Sequence, residues 1–367
     1  MIISPVGSWI RNRRVGRGMF GIKTKLFALI FSVLPVFVVA APIPIKVVVV
    51  SMFEYGEITG DRPGEFQFWA ERLPLEKSLL FPAGEFDLRL SEDGVLGICT
   101  GGGIANATAS VMALGMDDRF DLSNAYWLVA GIAGVDPEDL SLGSAAWAKF
   151  VIDGDLLVQI DAREIPADWP YGIIPLGSDK PAKVQSDLST GWTVDTIKFA
   201  LNDSLVNWAY RLTRDVEIPA SGGLAKFRAQ FSDNPNAMKP PFVTIGDTLS
   251  ASTYWHGHHL NRWANDWVKL YSSQQGNFMT SNMEDSGTMT ALHRLARINK
   301  VDANRVLVLR TASNFTVPPP GKTATWSATA EYPDKGRAAL EAAYRVGSVV
   351  VKALVANWDQ YQNELPR

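Results

Sequence analysis

Apolar positions in this chain fall into short unbroken runs separated by stretches with helical spacing. Ile45-Lys46-Val47-Val48-Val49-Val50 is β-branched and nearly continuous, which predicts a first parallel strand buried on both faces. Leu96-Gly97-Ile98-Cys99 and the run Ala125–Val135 predict two more buried strands. Leu142–Val151 predicts a strand after a turn, and Pro241–Thr248 a strand entering a loop. Phe278–Asn282 leads towards a helix continuing through Leu295, and Arg305–Asn314 is a late strand ending in polar residues. Helical spacing marks Phe66–Ala70, Ile104–Leu114, Thr193–Leu212 and Gly336–Tyr361, whereas Asp161–Ser189 is an irregular insertion rich in Pro, Gly and Trp. Strands alternating with helices predict an α/β fold. The expected form is a single three-layer α/β/α domain around a central mixed, largely parallel sheet.

Two stretches carry candidate chemistry. Thr100-Gly101-Gly102-Gly103 separates a buried strand from a helix. Glycines there let backbone N–H groups approach a phosphate, a carboxylate or sugar hydroxyls at the positive end of the helix. A tight turn without a ligand fits the same residues equally well. The first strand empties into Ser51-Met52-Phe53-Glu54-Tyr55-Gly56-Glu57, in the loop position where open α/β sheets bind ligands. Glu54 and Glu57 are candidate functional acids, or solvated acids at the start of a helix. Three of the four histidines lie in Trp255-His256-Gly257-His258-His259; a His-x-His pair can hold a metal, but no further ligand set stands out. Tyr254 and Trp255 are candidates for stacking on a planar ligand, or for the core. There is no Gly-x-Ser-x-Gly elbow, and Asn106 replaces the third glycine of a dinucleotide fingerprint.

Composition adds two constraints. The single cysteine, Cys99, excludes an intrachain disulfide. Six basic residues precede the apolar run Leu26–Ala41, which reads as a secretory signal peptide cleaved near Ala40 or Ala41 and predicts a secreted or cell-surface protein. Residues 1–41 would then be the signal, and residues 42–367 the mature domain. Without the leader the chain keeps 29 basic residues against 38 acidic ones, which argues against nucleic-acid binding. No other run is long and apolar enough to span a bilayer.

Thr100-Gly101-Gly102-Gly103, Ala130-Gly131-Ile132-Ala133-Gly134, Asn282-Met283-Glu284 and Arg310-Thr311-Ala312-Ser313-Asn314 occur in an order that resembles the nucleoside phosphorylase/nucleosidase superfamily. Within it, the chain most resembles the purine nucleoside permeases. The resemblance runs from about Ile45 to the end and implies a nucleoside phosphorylase-like fold. It implies a purine nucleoside held by Asn282, Met283 and Glu284, with the Glu284 carboxylate accepting from ribose hydroxyls and Met283 under the sugar. Thr100, Gly101 and Gly102 resemble the anion or nucleophile end, Gly131 lies in the strand end beneath the base, and Asp247 is in the base-adjacent loop. Asn314 stands where many relatives carry an Asp that protonates the purine. Glu57 or Glu54 resembles the first-loop glutamate with which hydrolytic members hold the attacking water. The resemblance thus implies cleavage of an N-ribosidic bond, by water in preference to phosphate as co-substrate, with no metal or other cofactor. It also implies a homodimer. The rival reading is a nucleoside-binding component of uptake without catalysis.

Overall fold

Val47–Ser51 is buried along its whole length. It pairs in parallel with Val95–Cys99 on one edge and with the first half of Tyr126–Val135 on the other. Four consecutive valines make this possible, because a strand covered on both faces has no place for a polar side chain. Tyr126–Val135 is the axis of the sheet. Val306–Phe315 runs parallel along its other edge, with Arg310 opposite Gly131. Beyond Val129 the first edge passes to Phe278–Asn282, which runs antiparallel. The sheet continues through Asp247–Ser250 and Phe150–Asp153 to Lys198–Ala200 at one end, and through Leu88–Leu90 to Lys77–Leu79 at the other. Ala145–Trp147 joins the far edge of Val306–Phe315 and pairs in parallel with Val243–Ile245. Between Ala312 and Asn314 the register shifts: Ala312 faces Ala133, Asn314 faces Gly134, and Ser313 is the extra residue of a β-bulge.

The computed structural model describes residues 41–188 and 193–367. Apart from Ala41, the segment read as a signal peptide lies outside the described residues. Ala41–Arg367 forms one compact unit. Helix Arg337–Ala356 lies on Tyr126–Val135 and Val306–Phe315, while Ile104–Gly115 packs against Asp285–Arg297. The α/β class and the mixed central sheet are as expected. Parallel pairs predominate around the central strands, with the antiparallel pairing of Phe278–Asn282 to Tyr126–Val135 set among them. Among the described residues no helix is long and apolar enough to cross a membrane.

Three expectations about elements need correction. The helix expected from Thr193 begins at Asp203, because the Asn202 side chain accepts from Leu205 N at 3.1 Å and caps it there. The residues before the cap form an edge strand on Phe150–Asp153 instead. Leu142–Val151 is two strands rather than one, interrupted at Ala148-Lys149. No helix begins at Glu54–Glu57: the chain stays irregular until Gln67.

Candidate functional site

The C-terminal ends of the central strands open onto loops that cross one another. Thr100 N donates to the Ser51 carbonyl at 2.9 Å, which ties the glycine loop to the end of the first strand. Gly101 and Gly103 adopt φ of 82° and 90°, a region that L side chains avoid, and turn the chain into helix Ile104–Gly115. The N–H of Gly103 points at Glu284 Oε1, 3.3 Å away, and that of Ile104 donates to Ser252 Oγ at 3.2 Å. The positive end of this helix therefore faces a carboxylate of the protein itself.

Glu284 follows strand Phe278–Asn282 and is buried. Its neighbours are held by Asn282, whose Oδ1 accepts from Glu284 N at 3.0 Å and Asp285 N at 2.8 Å. Glu284 Oε2 lies 3.2 Å from Met283 N and 3.4 Å from Arg310 Nη2. All three contacts to this carboxylate are long, so its lone pairs retain capacity for further donors. Arg310 is fully buried and grips Asp285 through Nε, at 3.0 Å from Oδ2, and through Nη2 to Oδ1. Its Nη1 donates to the Ile132 carbonyl at 3.0 Å. Burial opposes the Arg310 charge, but Asp285, Glu284 and Glu65 together hold the guanidinium protonated above its ordinary range.

Glu65 completes the cluster. Its Oε2 accepts from Met52 N at 2.8 Å and its Oε1 from Ile132 N at 2.6 Å, bridging the end of the first strand and the interior of the central one. Burial pushes its carboxyl up to about 8; Arg310 and the two backbone donors pull it down, and Glu284 adds to the rise. The absence of a side chain at Gly131 makes the convergence possible. A Cβ there would lie 2.2 Å from Met52 Cε, 2.6 Å from Glu65 Oε1 and 2.7 Å from Arg310 Nη1.

Beside this cluster lies a cavity of about 460 Å³ whose lining includes Arg62, Ile132, Tyr254, Ser313, Asn314 and Tyr332. Ile132 belongs to both places: its backbone holds Glu65 and Arg310, and its side chain lines the cavity. Arg62 sits over the Tyr55 ring, 4.3 Å from its centroid.

The expected site residues thus divide. Glu284, with Met283 beside it, the loop Thr100-Gly101-Gly102 and Gly131 meet around Arg310 and Glu65, and Asn314 lines the adjoining cavity. Thr100 is buried and its hydroxyl turns to the Gly101 carbonyl, whereas Gly102 is exposed. Asn282 acts through its cap and a 2.6 Å bond to Thr248 Oγ1. Asp247 stands at the far end of its strand from Ser250. There its buried carboxylate accepts from Lys149 N, Phe150 N and Asn277 N at 3.0, 2.7 and 2.8 Å, stapling strand ends together. Glu54 accepts from the backbone N–H groups of Tyr55, Gly64, Phe66 and Gln67, which shapes the loop. Glu57 is exposed. Neither first-loop acid occupies the position of Glu65 between Met52 and Ile132. In the histidine-rich loop, burial and the neighbouring His258 hold His256 down to about 4. No group of three potential metal ligands occurs among the described residues.

Neither Glu65 nor Arg310 stands out in the sequence as a site residue. The available signals were an acid directly before a buried aromatic run and an arginine inside an otherwise apolar strand.

The profile of the family described as purine nucleoside permease (NUP) matches residues 44–366. A probable purine nucleoside permease of Schizosaccharomyces pombe is 28% identical over 267 residues, covering 71% of this chain and 76% of that protein. A purine nucleoside permease of Candida albicans is 31% identical over 268 residues, covering 72% of this chain and 64% of that protein. Among solved structures, the 5′-methylthioadenosine/S-adenosylhomocysteine nucleosidase of Neisseria meningitidis, in complex with methylthio-immucillin-A, aligns over 84% of this chain and 99% of its own. The identity is 16% and the TM-score 0.49.

Proposed function

The chain belongs to the purine nucleoside permease family, and from that premise we propose that it binds a purine nucleoside at the Glu65–Arg310–Glu284 cluster and hydrolyses the N-ribosidic bond. The observation that carries the reading is the place of Glu65: a buried carboxyl held between Met52, just past the first strand, and Ile132, inside the central one, with the Arg310 guanidinium nearby and its own titration raised to about 8. A group poised near neutrality is suited to take a proton from water. In the step proposed, water attacks C1′ and gives its proton to Glu65, while the C1′–N9 bond breaks and its electron pair stays on the base. Glu284, with only long contacts, accepts from the 2′ and 3′ hydroxyls of the ribose.

Charge favours water over phosphate as nucleophile. Arg310 is already paired with Asp285 and Glu284, and the N–H of Gly103 faces Glu284. A phosphate dianion placed there would meet an acidic cluster whose one cation is committed. This reading requires no metal or other cofactor. If residues 1–41 direct export, the reaction takes place outside the cell and the released base is what enters it.

A second reading is nucleoside binding without turnover, which the permease names of the relatives favour. The deciding experiment incubates the purified chain with inosine, guanosine, adenosine and uridine, with and without phosphate, and separates the products. Free base plus ribose in the absence of phosphate is the expected result. Ribose 1-phosphate formed only with phosphate would replace hydrolysis by phosphorolysis. Saturable binding without products would move the assignment to uptake.

A further inference from the structure

Asn314 has no proton to give a departing base, yet it faces the cavity beside the cluster. Its Nδ2 lies 3.1 Å from Tyr254 Oη and 3.4 Å from the Phe315 carbonyl, while its Oδ1 lies 2.9 Å from Ser313 Oγ. The amide is assigned with its NH₂ on the side of Tyr254 and the Phe315 carbonyl, and Ser313 Oγ divides its one hydrogen between Asn314 Oδ1 and the Ala133 carbonyl, 3.0 Å away. Tyr254 Oη is therefore the acceptor in that pair, and its own hydrogen points away from Asn314. Tyr254 lines the cavity and is 55% exposed. Partial burial raises the hydroxyl above its ordinary value, and the phenol keeps its hydrogen across the neutral range.

We infer that Tyr254 donates its hydroxyl hydrogen bond to the purine of the bound nucleoside, at the ring acceptor where negative charge gathers as the ribosidic bond breaks. Asn314 is the positioning residue that turns that hydrogen into the cavity. No proton transfer from Tyr254 is involved: the electron pair of the broken bond stays on the base and is stabilised by the donated hydrogen bond. The inference rests on the reading of the site as a nucleoside site and names the part of the substrate that Tyr254 touches.

The test compares Tyr254→Phe with the unsubstituted chain on inosine and on 4-nitrophenyl β-D-ribofuranoside, whose leaving group needs no such assistance. Loss of one preorganised donor should lower kcat/KM for inosine by about 10²-fold, while the nitrophenyl riboside changes by no more than about twofold. Asn314→Ala should show the same split in weaker form. Equal losses on both substrates, or no loss on either, would overturn the inference. If the unsubstituted chain cleaves neither substrate, hydrolysis is refuted on its own, and the inference is read from affinity for hypoxanthine. Weakening by about tenfold in Tyr254→Phe then supports it, since one net hydrogen bond has that worth; unchanged affinity sinks it.

Discussion

Replacing Glu65 by Gln separates the structural role of this side chain from the role as base proposed for it. Both carboxyl oxygens accept a backbone N–H, from Met52 and from Ile132. Glutamine keeps the size and one acceptor, but its NH₂ meets the other N–H head-on and leaves a buried donor unpaired. That costs about 1–3 kcal/mol, a few degrees of melting temperature at this chain length. Catalysis should fall further than stability: removing a general base lowers rates by about 10²–10⁴-fold. The pH dependence gives the sharper signature. The folded-state carboxyl titrates near 8, above its ordinary 4.5. The native chain therefore holds a proton that the unfolded chain has released, and this contribution to stability is full below about pH 4.5. It is lost as pH rises through about 8. Over the same upper range the base becomes competent, so kcat/KM for inosine should climb to a plateau while the melting temperature declines. Steady-state assays and thermal melts from pH 5 to 10 on both proteins check this. If the glutamine variant keeps the rate and the inflection of the unsubstituted chain, Glu65 is not the base.

Gly131→Ala should depress turnover and nucleoside affinity by at least about tenfold, because the new methyl displaces Met52, Glu65 Oε1 or Arg310 Nη1; isothermal titration with inosine reads the loss. Asp247→Ala should lower the unfolding free energy severely, by about 3 kcal/mol or more, read from urea unfolding, since three backbone donors lose their acceptor at a buried site. The same variant, assayed while still folded, should keep the affinity of the unsubstituted chain for nucleoside; a selective loss of binding would return Asp247 to the site. Asn202→Ala should cost about 1 kcal/mol through the lost cap, visible in urea unfolding with activity unaffected.

What could be read in the sequence follows from how far each interaction reaches along the chain. The strands were legible because four valines in a row, or Arg305–Asn314 with its apolar centre, carry their burial in their own composition. The motif with Met283 singled out Glu284, which the fold places beside Arg310. Asn202 could have marked the true start of its helix, but the apolar spacing before it outweighed a single cap residue. Glu65 was hidden for a different reason. It ends an irregular loop with no period, and what makes it special is contact with Met52 and Ile132, which only the folded sheet brings near. Glu54 and Glu57 lie closer to the strand in sequence, and proximity along the chain drew the assignment to them. Asp247 shows the converse: an acid at the edge of a strand reads as a ligand group, and its three backbone partners, distant in sequence, appear only in the folded sheet.

The extra residue at Ser313 fixes more than a local kink. In an unbroken strand, residues four apart point to the same face, so Arg310 and Asn314 would share one side of the sheet. The bulge reverses that parity and lets one strand serve two compartments, Arg310 among the carboxylates and Asn314 in the cavity with Tyr254. Deleting Ser313 would leave every neighbouring residue type intact and still swing Asn314 to the wrong side, uncoupling the two halves of the pocket without emptying either.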